Sequence, residues 1–495
     1  MTDPIILLNY RKYVDSKFVG FTPNGGAIKP VHVANGIQRC IYGAYNTSAA
    51  IKRLALVTDA KGNIPQGNKN DLATIYTELT ESDSLDDSIP AASLESMRNV
   101  MQRLLSADKG AYVVKGLKDD MISFTAGSKY FLTRSSIYED TGEFIGGIVR
   151  AYCPALSEYI KNLLDQAKDP ITLLFEPVIG DSESSMNVFE KSRHDELPIF
   201  NAQNAVVKWF TDGVNSSGTC LLNNLKQQPN CLTQLRLFNF FCIFHLIRYM
   251  AMLEAFYCQE EVRPILLDFS GRMPRQSSIA RASEVAYTQM HKSINRFYAW
   301  GYALMLKEKG YTKDDLLALE TPLYDGKKKG TSELNTLWNL AKENARKCTS
   351  EDDALLVFGE TIYDMLALEA SSHPVNCLKM LGTSSGILYP PDKLHPNKRF
   401  VLSQDVLEMI LRSTVLPDEV LSGAELRARL WDRFGIIIGG GSEDMPRLQQ
   451  SGMLLQIDED SLENNFDSFA DLLESMDFAE VMADGILQIR LGGVN

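Results

Sequence analysis

Residues 235–258 form a long apolar run that limits the fold more strongly than any other part of the sequence. The run is long enough to cross a bilayer, but Asn239, His245, Arg248 and Glu254 lie within it. A charged side chain is costly at bilayer depth. We therefore expect no membrane span, and the run predicts a helix buried in the core of a large soluble protein.

A core that surrounds such a helix needs a long chain. This chain has 495 residues, which exceeds the length usually built around a single hydrophobic core. Hydrophobic residues make up 45% of the chain and charged residues 23%, which indicates a folded globular protein. Patterning predicts a mixed α+β, helix-rich, multidomain fold. Polar residues 180–197 and the proline-rich segment 389–396 are the candidate boundaries.

Three domains follow from these boundaries. Residues 1–195 are expected to form a mixed α/β N-terminal domain, with strands at 5–8, 111–114, 121–124 and 129–132 and a helix at 156–167. Residues 196–396 are expected to form a mainly helical central domain with a buried strand at 264–270.

Residues 397–495 are expected to form a small acidic α+β module. Helices are predicted at 404–413, 424–434 and 462–476, and strands at 435–441 and 486–491. A few helices with short strands in this order could give a winged-helix-like fold.

The composition also bears on partners and location. The net charge of −13 argues against a large basic surface for nucleic acid. The eight cysteines are scattered without a C-x-x-C pair, and the N-terminus lacks the basic segment of a signal peptide. A reducing, cytoplasmic location is expected.

One segment, 263–281, suggests converging chemistry. An apolar strand ends at a carboxylate, turns through glycine and proline, and opens a long helix whose first amides could meet an anion. Guanidinium groups suit phosphate or carboxylate oxygens. The candidate anion- or nucleic-acid-contact residues are Arg263, Asp268, Arg272, Arg275, Ser277, Ser278 and Arg281. No residue pattern identifies a cofactor.

The same segment has a plainer interpretation, which the sequence favours. It can be a structural strand-turn-helix whose arginines pair with nearby carboxylates, because the glycines of a true phosphate loop are absent. His291 on the following helix could act as an acid or base. A hydrogen-bonded helical histidine is the favoured alternative.

Other motifs are weaker. Residues 382–386 match G-x-S-x-G, but a nucleophile elbow needs a strand before the serine and a helix after it. The triple glycine 439–441 follows an apolar strand, yet Ser442-Glu443-Asp444 comes next instead of G-K-[ST]. A plain turn is favoured for both.

No metal site is predicted. Cys242 and His245 form one loose group, and His373, Cys377 and His395 form another. Neither supplies the four compact ligands of structural zinc. Buried thiols and hydrogen-bonded histidines are expected.

The C-terminal module has an unusual charge pattern, since no Lys or Arg lies between Arg447 and Arg490 while acidic residues accumulate there. An amphipathic helix with a solvated acidic face is one interpretation. A docking surface for a basic partner is the other. The arginines at 427, 429 and 433 could contact nucleic acid, although Glu425 and Asp432 on the same predicted helix partly neutralise their positive charge.

Taken together, the sequence favours a non-catalytic subunit or adaptor of an intracellular multi-protein assembly over an enzyme. Such an assembly could handle nucleic acid, as a bacterial phage-defence system does. Protein partners could bind the acidic module, and nucleic acid could bind the arginine cluster. The alternative is an enzyme or ligand-binding protein for a phosphate-bearing substrate at 263–281.

Overall fold

A computed structural model of the protein describes residues 5–23, 30–47, 72–81, 88–93, 96, 127–132, 139–170, 172–173, 176, 186–189, 197–201, 204–258, 261–271, 275–324, 332–368, 374–451, 457–482 and 487–491. Within these ranges the structure is 69% helical with a few small sheets. This confirms the helix-rich mixed α+β prediction.

The helices are α1 (Leu7–Val14), α2 (Pro30–Tyr42), α3 (Leu72–Glu81), α4 (Glu139–Tyr152), α5 (Pro154–Gln166), α6 (Pro198–Asn201), α7 (Ala205–Leu225), α8 (Cys231–Cys258), α9 (Ser278–Glu308), α10 (Lys313–Ala318), α11 (Ser332–Lys347), α12 (Glu351–Ala367), α13 (Pro374–Ser384), α14 (Gln404–Arg412), α15 (Gly423–Phe434), α16 (Asp444–Gln450) and α17 (Glu459–Ser475). A π-helix at Asp15–Val19 continues α1, and a 3₁₀-helix spans Lys129–Phe131.

The strands are β1 (Ala44–Asn46), β2 (Met186–Val188), β3 (Ile265–Leu266), β4 (Leu388–Tyr389), β5 (Arg399–Phe400), β6 (Val420–Ser422), β7 (Ile436–Ile437), β8 (Ala479–Val481) and β9 (Leu487–Arg490). They form antiparallel pairs β1–β2 and β4–β5, the parallel pair β3–β7, and an antiparallel sheet in the order β6–β9–β8.

Helix α8 lies at the centre of the molecule, in contact with α2, α4, α7, α9, α13 and α14. Every residue from Gln234 to Phe256 except Arg236 is buried, so the helix has no solvent-facing side over this stretch. Among the described residues, α8 is the one helix long and apolar enough to cross a membrane. Because 94% of its apolar window is buried inside the protein, it is consistent with the core helix of a soluble protein.

The polar residues of α8 are buried with partners, which is how a core accepts them. The side chain of Asn239 accepts a hydrogen bond from Gln38 Nε2 of α2 at 3.2 Å. Glu254 accepts hydrogen bonds from Arg263 and Arg296. The residues that make α8 a poor membrane span therefore fix its neighbours in the core.

Two of the predicted N-terminal strands are wrong. Residues 7–14 are helical because Leu7, Tyr10 and Val14 recur at helical spacing and are buried, and Ile6 makes a single parallel bridge to Leu323. Residues 129–131 form the 3₁₀-helix. The strands predicted at 111–114 and 121–124 lie outside the described residues, and the helix predicted at 156–167 is confirmed as α5.

Strand β3 pairs with strands that are far away in sequence. Ile265 is opposite Ile436 in the parallel pair with β7, and Leu267 forms a parallel bridge to Phe400 of β5. The buried strand predicted at 264–270 thus joins the predicted central domain to the predicted C-terminal module.

The buried hydrophobic side chains from all three predicted domains belong to one continuous cluster. Phe434 of α15, for example, packs its ring against Phe244 of α8 with centroids 5.6 Å apart. The three-domain division remains a prediction from the sequence.

The C-terminal elements lie close to where the sequence predicts them. Helix α15 begins at a capping box in which Ser422 and Glu425 exchange side-chain-to-backbone hydrogen bonds. It ends at Gly435, which has a φ of +64° and terminates the helix in the left-handed region. The chain then enters β7, as the apolar run at 435–441 predicts.

Candidate functional site

The candidate segment begins at the carboxyl end of β3, where the strand is hydrogen-bonded on both sides. Leu267 N–H donates to Ile437 O at 3.0 Å, and Asp268 N–H donates to Phe400 O at 2.9 Å. Strand β3 therefore runs between β7 and β5, and Asp268 is fixed at the point where the strand ends.

Asp268 is a buried ion-pair partner. Its Oδ2 lies 3.0 Å from Arg399 Nη1, and the two side chains are 0% and 6% exposed. Its Oδ1 accepts hydrogen bonds from the backbone N–H and the hydroxyl of Ser270 at 2.9 and 2.7 Å. The carboxylate is thus held by a cation from β5, which sequence spacing does not indicate because Arg399 lies 131 positions away.

Arg263 belongs to a second ion cluster. Its Nη2 donates to Glu254 Oε2 at 3.0 Å, while Arg296 donates to both oxygens of the same carboxylate at 2.5 and 2.7 Å. Glu254 is 5% exposed. Two arginines on one buried carboxylate tie the end of α8 to α9 and to the chain entering β3.

The two serines at the start of α9 are also engaged. Ser277 is the N-cap, and its hydroxyl accepts a hydrogen bond from Ala280 N–H at 3.2 Å. The Ser278 hydroxyl donates to the hydroxyl of Ser461 in α17 at 2.6 Å. The helix start is therefore covered by α17 on this side.

The remaining arginines of the segment are exposed or lie outside the described residues. Arg275 and Arg281 are exposed on the turn and first helical turn, and Arg272 lies outside the described residues. Arg263 thus pairs with Glu254, and Asp268 pairs with Arg399. Ser277 caps its own helix, and Ser278 donates a hydrogen bond to Ser461. These side chains lie at a junction between α8, α9, α17 and the strands β3 and β5.

Helix α17 covers the ends of both parallel strands through Asn465, which is 1% exposed. Asn465 Nδ2 donates to Leu267 O at 2.9 Å and to Ile438 O at 2.7 Å, and its Oδ1 accepts from Phe269 N–H at 2.8 Å. The Phe269 and Phe469 rings pack with centroids 4.8 Å apart.

Sequence reasoning missed Asn465, although a signal for it exists. Leu462, Phe469 and Leu473 define the buried face of α17, and Asn465 falls on that face at i+3 from Leu462. A polar residue on the apolar face of a helix indicates a buried hydrogen-bonding role.

The other candidate residues on α9 have ordinary partners. His291 Nε2 lies 2.7 Å from the hydroxyl of Tyr287, one turn earlier. Burial raises the pKa of Glu284, while Arg399 and His395 act in the opposite direction. His291 thus makes a hydrogen bond within its own helix, as the favoured sequence interpretation expects.

The G-x-S-x-G segment is the end of a helix. Residues 382–384 are the last residues of α13, and the Ser385 hydroxyl donates to Leu381 O at 2.8 Å. Gly386 then turns the chain with a φ of +75°. A nucleophile elbow requires a strand before the serine, and a helix stands there instead.

Cys242 and His245 are buried in the core. His245 Nε2 lies 3.2 Å from the Ser217 hydroxyl, and burial lowers the pKa of His245 to about 3, with Arg248 adding to the effect. In the described part of the chain no group of three or more His, Cys, Asp or Glu side chains could hold a metal ion. His373 lies outside the described residues.

The three arginines of α15 divide into two kinds. Arg429 binds both oxygens of Glu419 at 2.6 and 2.7 Å, and Arg433 donates to Ser413 O and Thr414 O at 2.7 and 2.9 Å. These two hold α15 against the end of α14. Arg427 stacks on the ring of Phe466, 4.5 Å from its centroid.

The exposed side of α17 and β8 is strongly acidic. Its solvent-exposed carboxylates are Asp458, Glu459, Asp460, Glu463, Asp467, Asp471, Glu474, Asp477 and Glu480. We call this surface the acidic face. Since the sequence has no Lys or Arg between Arg447 and Arg490, no basic side chain of this segment neutralises it.

Comparison with known proteins adds no further constraint: no protein-family model, no curated protein and no solved structure matches this chain.

Proposed function

We propose that the chain is a non-catalytic subunit or adaptor of an intracellular multi-protein assembly, and that it binds a basic partner protein through the acidic face. The observation that supports this proposal is the run of nine exposed carboxylates between residues 458 and 480. No Lys or Arg lies among them in the sequence. Complementary charge steers a partner to such a surface and fixes its orientation.

The acidic face also offers apolar contact area. Leu472 is 37% exposed, and Val481 and Met482 are 48% and 40% exposed beside the carboxylates. Apolar groups with a charged rim are the usual composition of a protein interface. The buried face of α17 is fixed to β3 and β7, so the helix presents this surface on a rigid support.

The order of elements in residues 404–490 supports a winged-helix-like module. A helix (α14), a strand (β6), two helices (α15 and α17) and a strand pair (β8 and β9) follow one another, with β7 and α16 inserted, and the sheet order is β6–β9–β8. The last of these helices carries the acidic face, which repels phosphate groups. This favours a protein partner over DNA at α17.

The partner that fits best carries a basic surface of the kind found on nucleic-acid-binding proteins. We therefore propose an assembly that handles nucleic acid, of which a bacterial phage-defence system is one example. All eight cysteines are free thiols, which supports the proposed cytoplasmic location.

The test is recovery of a partner by the tagged full-length chain from its native cells. The variant Glu463→Gln/Asp467→Asn/Asp471→Asn removes three charges from the acidic face. The matched control Glu158→Gln/Glu320→Gln/Glu343→Gln removes three exposed charges elsewhere. We expect one basic protein to be recovered with the wild type and the control and lost with the acidic-face variant.

Addition of DNA to the same experiment gives a second readout. If the acidic face occupies the nucleic-acid surface of the partner, DNA should compete with the chain and reduce recovery. Equal recovery by all three proteins would contradict the proposal.

A further inference from the structure

Two arginines lie beside the glycine-rich loop that follows β7, one on the helix before the strand and one on the helix after it. Arg427 on α15 stacks on Phe466, and Arg447 on α16 stacks on Trp431 with its guanidinium 4.4 Å from the ring centroid. Neither guanidinium donates a hydrogen bond to any residue that the structure describes. By contrast, Arg429 on the same helix as Arg427 donates hydrogen bonds to Glu419, and Arg433 donates to two backbone carbonyls.

The triple glycine brings the backbone against Arg427. A Cβ on Gly440 would lie 3.3 Å from Arg427 Nη1, and one on Gly441 would lie 3.5 Å from its Nε. Gly440 has a φ of +74°, which favours glycine. Its amide N–H donates to no group in the described part of the chain, and its Cα lies close to the guanidinium of Arg427.

The buried carboxylate of Asp444 lies near both arginines and interacts electrostatically with each. It is 4% exposed, and its Oδ2 accepts a hydrogen bond from Gly441 N–H at 3.1 Å. Its nearest approach to Arg447 is 3.8 Å, which is longer than a hydrogen bond. Asp444 therefore orders the loop and partly balances the charge of the two arginines.

Both arginines are partly buried, and a partly buried cation has lost part of its hydration. Burial lowers the pKa of Arg427 accordingly. Stacking on an aromatic ring holds a guanidinium in a fixed plane and exposes its N–H edge, which matches the oxygens of a phosphate group.

We propose that Arg427, Arg447 and the backbone at Gly440 form a binding site for a phosphate-bearing small molecule. The site lies beside β7. The segment at 263–281 contains β3, which is the other strand of the same parallel pair. The site is positively charged and is proposed to bind a small molecule, whereas the acidic face is negatively charged and is proposed to bind a protein.

The test uses the full-length protein, with inorganic phosphate and AMP as probes in isothermal titration calorimetry at constant ionic strength. Tryptophan emission gives a second signal, because Arg447 lies over the ring of Trp431. We expect saturable binding of phosphate that Arg427→Gln and Arg447→Gln each weaken by about tenfold or more, the loss expected for a charged hydrogen bond. The control Arg346→Gln removes one exposed charge on α11 and should bind as the wild type does.

Two further comparisons identify the part of the ligand that is recognised and control for an unstable glutamine variant. Equal binding of phosphate and AMP assigns recognition to the phosphate group, and tighter binding of AMP adds a nucleoside to the site. Arg447→Lys keeps the charge but removes the planar fork, so an intermediate affinity is expected even if a glutamine variant is unstable. Absence of saturable binding by the wild type, or unchanged binding by the correctly folded glutamine variants, would overturn the proposal.

Discussion

At the scale of single residues, two charged groups that look functional in the sequence, Arg263 and Asp268, have buried structural partners. Asp268 and Arg399 show this most clearly, since both are buried and each neutralises the other. The sequence predicts the carboxylate at the end of the strand. It does not predict the partner, because the pairing depends on the parallel contact of β3 with β5.

The first prediction concerns Asp268. Asp268→Asn should lower the free energy of unfolding by about 3–5 kcal/mol, because it leaves Arg399 as a buried unpaired charge. Chemical denaturation measures the loss. The double variant with Arg399→Gln should recover part of it, since the uncompensated charge is then gone. A loss below about 1 kcal/mol would fall in the range of an exposed pair and contradict the buried ion pair.

A second prediction concerns His245 and pH. Its pKa is about 3 in the folded protein and 6.5 in the unfolded chain, so the unfolded chain binds the extra proton between these values. The contribution of neutral, buried His245 to the free energy of unfolding is therefore present above pH 6.5 and falls as the pH decreases toward 3. Its loss should reach about 2 kcal/mol at pH 5.

The measurement is the unfolding free energy of the wild type and of His245→Gln at pH 7 and pH 5. The variant should lose about 2 kcal/mol less than the wild type over this interval. Equal pH dependence of the two proteins would show that His245 is not buried in its neutral form.

At the scale of secondary structure, patterning predicts the long and amphipathic helices well. The central apolar helix and the elements of residues 404–490 lie close to their predicted positions. Predictions fail where a short apolar run is ambiguous, as at residues 5–8, since four residues cannot distinguish period 2 from period 3.6. The position of α17 over β3 and β7 could not be predicted, because it depends on contacts between distant segments.

The third prediction tests that position. Asn465→Ala should lower the free energy of unfolding by about 3 kcal/mol or more, because it leaves Leu267 O, Ile438 O and Phe269 N–H buried without their partner. The matched control is Asn464→Ala, its exposed neighbour. Hydrogen exchange at Phe269 N–H should accelerate in the first variant and stay unchanged in the second. Similar exchange in both would place α17 away from the strand ends.

At the scale of the whole molecule, the three predicted domains share buried surface. Strand β3 pairs with β5 and β7, and α8 packs against α14. Composition and linkers suggest boundaries along the chain. They carry no information on strand pairing between the segments they separate, so the extent of this shared core could not be predicted.

The fourth prediction follows from the shared core. A chain truncated after residue 396 should be insoluble or should lack a cooperative unfolding transition, because the contacts of β3 and α8 with the C-terminal segment become exposed. Expression with size-exclusion chromatography and thermal unfolding tests this expectation. A soluble, cooperatively folded fragment would show that the chain up to residue 396 folds without the C-terminal segment, and would contradict the shared core.

Binding of a basic partner by the acidic face is tested by the dissociation constant between the purified chain and the purified partner. Affinity should fall as salt rises from about 0.15 M to about 0.5 M, since salt screens exposed charges. The variant Glu463→Gln/Asp467→Asn/Asp471→Asn should have a lower affinity and a weaker salt dependence, and the control Glu158→Gln/Glu320→Gln/Glu343→Gln should match the wild type. The same affinity and salt dependence for all three proteins would contradict binding through the acidic face.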